Sequence, residues 1–261
     1  MKETFQTPEP VQLDVRVEAG SIEVEARATE TTEVEVEARD AAAESMLGEV
    51  RVELRGGKLE VETPKKPGLR IRTPEFAVRI VCPEGSGLSA RTASADVSST
   101  GRLGDVTVKS ASGDVEIEDV DGETKLNTAS GDMTVVRAGG SVVANTASGD
   151  LSIRHALGRV VARLVSGDCT VGESSDVVEI NSVSGDIRLR RVAGGSVDFN
   201  SVSGDAEIAV ARGAAVYMDV RSLSGDMVSE LEGTDEPGAG EAVIEVRGKT
   251  VSGDVRLASA A

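Results

Sequence analysis

Ser112-Gly113-Asp114-Val115-Glu116-Ile117-Glu118-Asp119-Val120-Asp121-Gly122-Glu123-Thr124-Lys125-Leu126-Asn127-Thr128-Ala129 is one unit of a tandem repeat. Its opening tripeptide returns as Ser130-Gly131-Asp132, Ser148-Gly149-Asp150, Ser166-Gly167-Asp168, Ser184-Gly185-Asp186 and Ser203-Gly204-Asp205, then again from Ser224 and Ser252. A degenerate copy, Ser94-Ala95-Asp96, precedes them, and the intervals from Ser94 onward are 18, 18, 18, 18, 18, 19, 21 and 28 residues. Five equal steps in a row identify a repeat architecture.

Inside the unit, Val115 and Ile117 alternate with Glu116 and Glu118, the period-two signature of a half-buried strand. Asp119 to Gly122 reads as a turn, Thr124, Leu126 and Thr128 mark a second strand, and Ser-Gly-Asp turns the chain again. Val115 aligns with Met133, Leu151, Cys169 and Ile187, and Leu126 aligns with Ala144, Ala162, Ile180 and, after one inserted residue, Phe199. A column that stays apolar in successive units is an inward ladder. A unit of this length makes one coil of a flattened parallel solenoid, coreless alone and stable only when stacked about 4.8 Å from the next. The predicted fold is therefore all-β: a single-stranded, β-helix-like parallel β-solenoid with coils of about 18 residues and an irregular N-terminal β cap.

The predicted organisation is a β-rich capping region over residues 1–89, continuous with the rod, and a solenoid of Ser-Gly-Asp repeats over 90–261. The cap region carries alternating runs at Val11 to Val17, Ile22 to Ala26, Val34 to Ala38, Val50 to Leu54 and Phe76 to Ile80, and one short helical stretch at Ala41 to Leu47. Glycines recur ten residues after several motif serines (Gly104, Gly122, Gly140, Gly158, Gly194, Gly213), which marks a second corner, so Gly149→Val is expected to strain a turn. Glu230 to Glu241 reads as a turn-rich insertion.

Composition narrows the function classes. With 45 acidic and 28 basic residues the formal charge is −17, which disfavours nucleic-acid binding, as do only four aromatic residues. One His and two Cys supply neither a multi-His metal site nor a disulfide framework. The N-terminal residues lack an apolar signal-peptide core and no stretch has membrane-span length, so the expectation is a cytoplasmic protein without direct membrane insertion.

The run Val78-Arg79-Ile80-Val81-Cys82-Pro83, followed by Ser-Ala-Asp and the serial Ser-Gly-Asp units, resembles the bacterial putative-adhesin β-strand-repeat family, also called toastrack domains, a family of unknown function. The resemblance implies an all-β, solenoid-like, non-enzymatic module. Members often accompany membrane-linked envelope-stress systems and others stand alone in the cytoplasm; no catalytic residues come with it.

Several columns are chemistry candidates. Asp114, Asp132, Asp150, Asp168, Asp186 and Asp205, extended by Asp96, Asp226 and Asp254, would stack one per coil. Each carboxylate is expected to accept backbone N–H groups within its own turn, the alternative being a row of Ca²⁺ ions bridging adjacent coils. The hydroxyl column Thr92, Ser110, Thr128, Thr146, Ser182, Ser201, Ser222 and Thr250, broken by Leu164, is expected to bond between coils, and Asn127, Asn145, Asn181 and Asn200 to form an amide ladder. His155 reads as a solvated turn residue, Cys169 as a small core residue, and Val136, Val143 and Val161 as outward-facing, ordinary scattered surface residues, the alternative being a modest apolar stripe that would mark a partner or self-association surface. No catalytic residue and no cofactor are assigned. The leading expectation is a non-catalytic scaffold binding an unidentified protein partner, with self-association open. The alternatives are an adhesin-like protein that binds carbohydrate or surfaces and, behind it, a β-helix enzyme acting on polysaccharide.

Overall fold

A computed structural model describes residues 1–64, 73–231 and 243–260. Twenty-three strands and one short helix account for most of them, and the chain divides into two compact units, Met1–Met133 and Thr134–Ala261.

In the first unit the solenoid begins earlier than the clean repeat. Strand β2 (Gln12–Arg27) runs parallel to β7 (Gly87–Leu103) residue for residue, from Gln12↔Gly87 to Glu25↔Thr100. Both strands pass through a corner without a break. Gly20 of β2 pairs with Ala95 of β7, so Ala19-Gly20-Ser21 occupies the place that Ser-Gly-Asp takes later. Past this corner the coil has two faces. On one, β7 is followed by β8 (Val106–Ser110) and β10 (Thr124–Ser130); on the other by β9 (Val115–Val120), all parallel.

At the N-terminal end of the stack each face continues from β2 with one parallel strand and finishes in antiparallel ones. β4 (Arg51–Arg55) and β5 (Lys58–Glu62) form a hairpin that lays β5 against the first half of β2. Lys58 Nζ reaches the buried Asp14 Oδ2 at 2.9 Å and ties that hairpin down. On the second face β6 (Glu75–Pro83) runs parallel to the second half of β2, then pairs antiparallel with β3 (Thr31–Ala38), which pairs with β1 (Lys2–Gln6). The helix α1 (Ala41–Met46) is capped by Asp40, whose Oδ1 accepts the Ala43 N–H at 2.7 Å, and it matches the expected helical stretch.

The second unit, which opens within β11 (Met133–Ala138), stacks its coils as two parallel faces. One holds β12 (Val142–Ser148), β14 (Val160–Ser166), β16 (Val178–Ser184) and β18 (Ser196–Ser203). The other holds β13 (Leu151–Ala156), β15 (Cys169–Ser174), β17 (Ile187–Val192) and β19 (Ala206–Val210). The predicted inward columns are confirmed: Ala144, Ala162, Ile180 and Phe199 face one another in register, as do Leu151, Cys169 and Ile187.

Beyond β19 the stacking order departs from the chain order. β18 pairs not with β20 (Ala215–Ser224) but with β22 (Val243–Ser252), and β20 packs on the far side of β22. The second face does the same: β19 pairs with β23 (Val255–Ser259), which pairs with β21 (Met227–Ser229). The coil 243–259 is thus inserted between its two predecessors, which is why the motif intervals lengthen to 21 and 28. Core volume adjusts across this insertion. A Cβ on Gly248 would fall 2.1 Å from Phe199 Cε1, so the large ring in one coil is matched by no side chain in the next. The predicted insertion at Glu230 to Glu241 lies mostly outside the described residues, of which Glu230 and Leu231 are the visible part.

Candidate functional site

The repeated corner is where side chains other than the core recur. Its backbone explains the tripeptide. In the second unit the motif glycine donates its N–H forward to the serine carbonyl of the next coil, as from Gly167 to Ser184 at 3.1 Å and from Gly185 to Ser203 at 3.2 Å. These glycines hold positive φ, and a Cβ on Gly185 (φ +127) would lie 2.1 Å from the Gly167 carbonyl oxygen. An L side chain is therefore excluded twice over, by conformation and by contact.

The next N–H, that of the aspartate, points back toward the preceding coil, and no strand carbonyl meets it there. The preceding aspartate does. Asp114 N–H donates to Asp96 Oδ1 at 3.0 Å and Asp132 N–H to Asp114 Oδ1 at 2.9 Å. In the second unit the row runs from Asp150 to Asp168 (2.8 Å), Asp186 (2.8 Å), Asp205 (3.0 Å), Asp254 (2.8 Å) and Asp226 (2.8 Å). This corrects the expectation of a turn-local bond, because the acceptor belongs to the neighbouring coil. Adjacent carboxylates about 4.8 Å apart repel by about 0.9 kcal/mol in water. A charge-assisted bond from a backbone N–H contributes about 1.5–3 kcal/mol, so the ladder is held together by the groups that would otherwise repel.

Arg188 adds to this row, its Nη1 on Asp168 Oδ2 (2.8 Å) and its Nη2 on Asp186 Oδ2 (2.6 Å). The Asp186 N–H and the Arg188 guanidinium together hold the Asp168 carboxyl below the ordinary carboxylate range. Beside these groups a shallow, open depression is lined by Asp186, Arg188, Asp205, Glu207, Asp254 and Arg256, with Arg256 paired to Glu230. Among the described residues no cluster of three or more His, Cys, Asp or Glu has a metal-holding arrangement.

The other predicted columns resolve differently. Ser130, Ser148, Ser166, Ser184 and Ser203 are exposed strand ends and Ser112 lies exposed in the bend after β8, each beside its motif glycine. The inner hydroxyls do not form an inter-coil ladder. Thr92 and Ser110 accept the Ala95 and Gly113 N–H groups of their own corner, at 2.6 and 2.8 Å, and only Ser222 reaches a neighbouring coil, at Gly253 O (3.4 Å). The buried hydroxyls of Thr128, Thr146, Ser182 and Thr250 have no partner among the described residues. Asn200 Nδ2 donates to Asn181 Oδ1 at 3.2 Å, a rung of the expected amide ladder. His155 lies within strand β13, not in a turn; its Nδ1 is 3.4 Å from Glu173 Oε2, and Arg191 shares that carboxylate. Cys169 is a core residue as expected, with its thiol pushed up to about 12 by burial and by Asp168, and Cys82 is likewise raised to about 11 by burial.

One outward feature went unread in the sequence. Val136, Val143 and Val161 are only half-exposed, so a stripe through them is not the apolar surface. That surface is the residue just before each motif serine. Val165, Val183, Val202, Val251 and Leu223 come one per coil, in stacking order, and are 48–82% exposed. Arg163, Asn181, Asn200, Lys249 and Arg221 flank the row on one side and the motif serines on the other, all exposed. The signal was available: the same column reads Ala93, Ala111, Ala129 and Ala147 in the earlier coils and turns to Val or Leu afterwards.

A family model described as Toastrack DUF4097 matches residues 12–258, from the first residue of β2 to the last coil. The chain belongs to the Toastrack DUF4097 family. This toastrack chain also matches solved structures over almost its whole length. A protein described as a "putative adhesin" from Bacteroides fragilis shares 13% identity at a TM-score of 0.52, with 98% of this chain and 96% of that chain covered. Two proteins of Parabacteroides distasonis match at a TM-score of 0.40: a "putative adhesin" (12% identity, 98% and 96% covered) and a "putative lipid binding protein" (13% identity, 100% and 94% covered). Only the first match is close enough to support the toastrack fold. No curated protein matches the chain. Among the described residues no helix is long and apolar enough to cross a membrane.

Proposed function

We propose that this toastrack chain is a non-catalytic interaction scaffold that docks a protein partner along the corner row Val165, Val183, Val202, Val251 and Leu223. The observation that carries this reading is the row itself: an apolar line on a strongly acidic protein, set at coil spacing and bordered on both sides by polar side chains. An apolar centre with a polar rim is the anatomy of a protein interface. The rung spacing of about 4.8 Å is close to the 5.4 Å turn of an α-helix, so the fitting partner is an amphipathic helix lying across the coils with one apolar side chain per turn.

The test is photocrosslinking from position 183, compared with position 188 on the opposite face, in cells of the native organism. The scaffold reading expects a defined protein captured from 183 alone and lost when Val165 and Val202 are changed to Glu. The adhesin reading takes its support from the printed name of the Bacteroides fragilis neighbour. It expects binding to a glycan array that the same changes abolish, with no protein captured. Turnover of a polysaccharide would overturn both.

A further inference from the structure

We infer that two copies of the chain join edge to edge, antiparallel, through β20 in the outermost coil of the second unit. This is a different surface from the corner row, apart from Leu223, and does not depend on it.

The coil formed by β20 and β21 is unfinished on one side. β20 pairs only with β22 and β21 only with β23 among the described residues, so one side of a ten-residue strand keeps its backbone N–H and C=O groups unmatched. Two inward positions of the coil are also uncovered, although Val220 between them is buried. Met218 and Met227 are 43% and 48% exposed, whereas Val246 and Val255, their counterparts one coil in, are 0% and 2% exposed. Tyr217, Val228 and Val243 add apolar surface beside them. The aspartate ladder ends here as well: Asp226 donates its N–H to Asp254, but no described N–H reaches Asp226 Oδ1. β20 has no proline and no inward-pointing charge, and its only charged side chains, Asp219 and Arg221, are on the outer face.

The sequence of β20 selects the occupant. An antiparallel pairing centred on Val220 sets Asp219 of one copy opposite Arg221 of the other, and Tyr217 opposite Leu223, each twice by symmetry. Within one copy Asp219 and Arg221 already lie 3.4 Å apart on the outer face, with both side chains largely in solvent. Parallel pairing in the same register would instead oppose Asp219 to Asp219 and Arg221 to Arg221. With Val220 opposite Val220, the edge is therefore complementary to itself only when antiparallel. Opposite charges and aromatic–aliphatic pairs directly across an antiparallel ladder are favourable, and like charges there are not. One coil end is a small contact by the standards of stable dimers, so the association is weak and concentration-dependent.

Sedimentation of the full chain over a concentration series from about 1 to 500 µM, a span suited to a weak dimer, tests this. The expected result is a monomer–dimer equilibrium that Asp219→Arg alone and Arg221→Asp alone each weaken about tenfold. An equimolar mixture of the two variants should restore association to near the wild-type level, because each Arg then meets an Asp. Circular dichroism confirms that both variants are folded. A chain that stays monomeric throughout overturns the proposal, and so does a dimer indifferent to either substitution or one that the mixture fails to restore.

Discussion

The two units finish their sheets in opposite ways. In the N-terminal unit the outermost strands are β1 and β4, both short, with burial that alternates between exposed and half-exposed. Charges line them: Lys2 pairs with Glu33 at 3.1 Å and Arg55 with Glu53 at 2.7 Å. Short, charged, antiparallel additions are how natural sheets discourage further pairing. In the C-terminal unit the outermost coil keeps the repeat's own geometry and leaves two core methionines in solvent. A repeat extends itself by default, and closing it takes residues that break its grammar. The first unit sets 59 residues (28–86) between its first two full coils, the antiparallel strands β3 and β4 among them, whereas the last coil of the second unit keeps the parallel register of the coil beneath it.

Substitutions at seven positions, an acid titration and a Ca²⁺ addition sharpen or break this contrast. The largest effect is expected inside the repeat. Gly185→Ala places a Cβ against the Gly167 carbonyl at a φ that L residues avoid, and should cost about 3 kcal/mol or more in chemical denaturation. Gly48→Ala in the cap, where a Cβ meets nothing within 4 Å, should leave stability within about 0.5 kcal/mol. Equal losses at both positions would erase the difference between coil and cap. Gly248→Ala follows, at about 2 kcal/mol from overpacking against Phe199, and Phe199→Leu in the same chain should recover most of it.

Next comes the edge of the first unit. Replacing Glu53 and Arg55 of β4 with Val should convert a blunted strand into an adhesive one, read as new higher-order species in light scattering. A chain that remains as disperse as wild type would mean that something other than charge protects that edge.

The acid limb of stability is a smaller effect. Asp168 is depressed in the folded chain relative to the unfolded value of 3.8. The unfolded chain thus binds the proton more tightly. Its contribution is complete above about pH 4 and is lost as pH falls through the lower folded value. Asp168→Asn keeps the oxygen that accepts the Asp186 N–H but loses the charge facing Arg188, so it should flatten the acid slope of the melting temperature while changing stability little at pH 7. An unchanged slope would assign the acid sensitivity elsewhere. Added Ca²⁺, at the low end of the scale, should leave the melting temperature nearly unchanged, since one oxygen of each of Asp114, Asp150, Asp168 and Asp186 is already engaged by a backbone N–H; a saturable rise would overturn that view.

The periodic part of the fold was legible because each coil answers to its neighbour. A residue such as Ile180 must be apolar for the same reason as Ala162 and Phe199, and eighteen-residue spacing exposes that constraint directly. The insertion of 243–259 between earlier coils was not legible, because its columns fit equally well on either side of 215–229; only pairings such as Gly248 under Phe199 distinguish the two orders. The carboxylate ladder was seen as a row but misread as local, since a sequence gives the donor and acceptor types without the direction of the N–H. The exposed Val and Leu row escaped for a different reason. It lies on the same outward alternation as Val143 and Val161, but the column holds only alanine in the earlier coils and so does not stand out as apolar surface there.

The interleaved coil also has a temporal meaning. As a ribosome releases the chain from its N-terminus, each regular coil can settle on the one before it. Residues 215–229 cannot, because the surface they rest on is made by 243–255, which emerges later. That segment must wait, unplaced, until its support has been synthesised and has slipped in beneath it. A chain that stalled between the two would present a loose strand rather than a shorter version of the same protein, which makes the final docking step a marker of how far synthesis has gone.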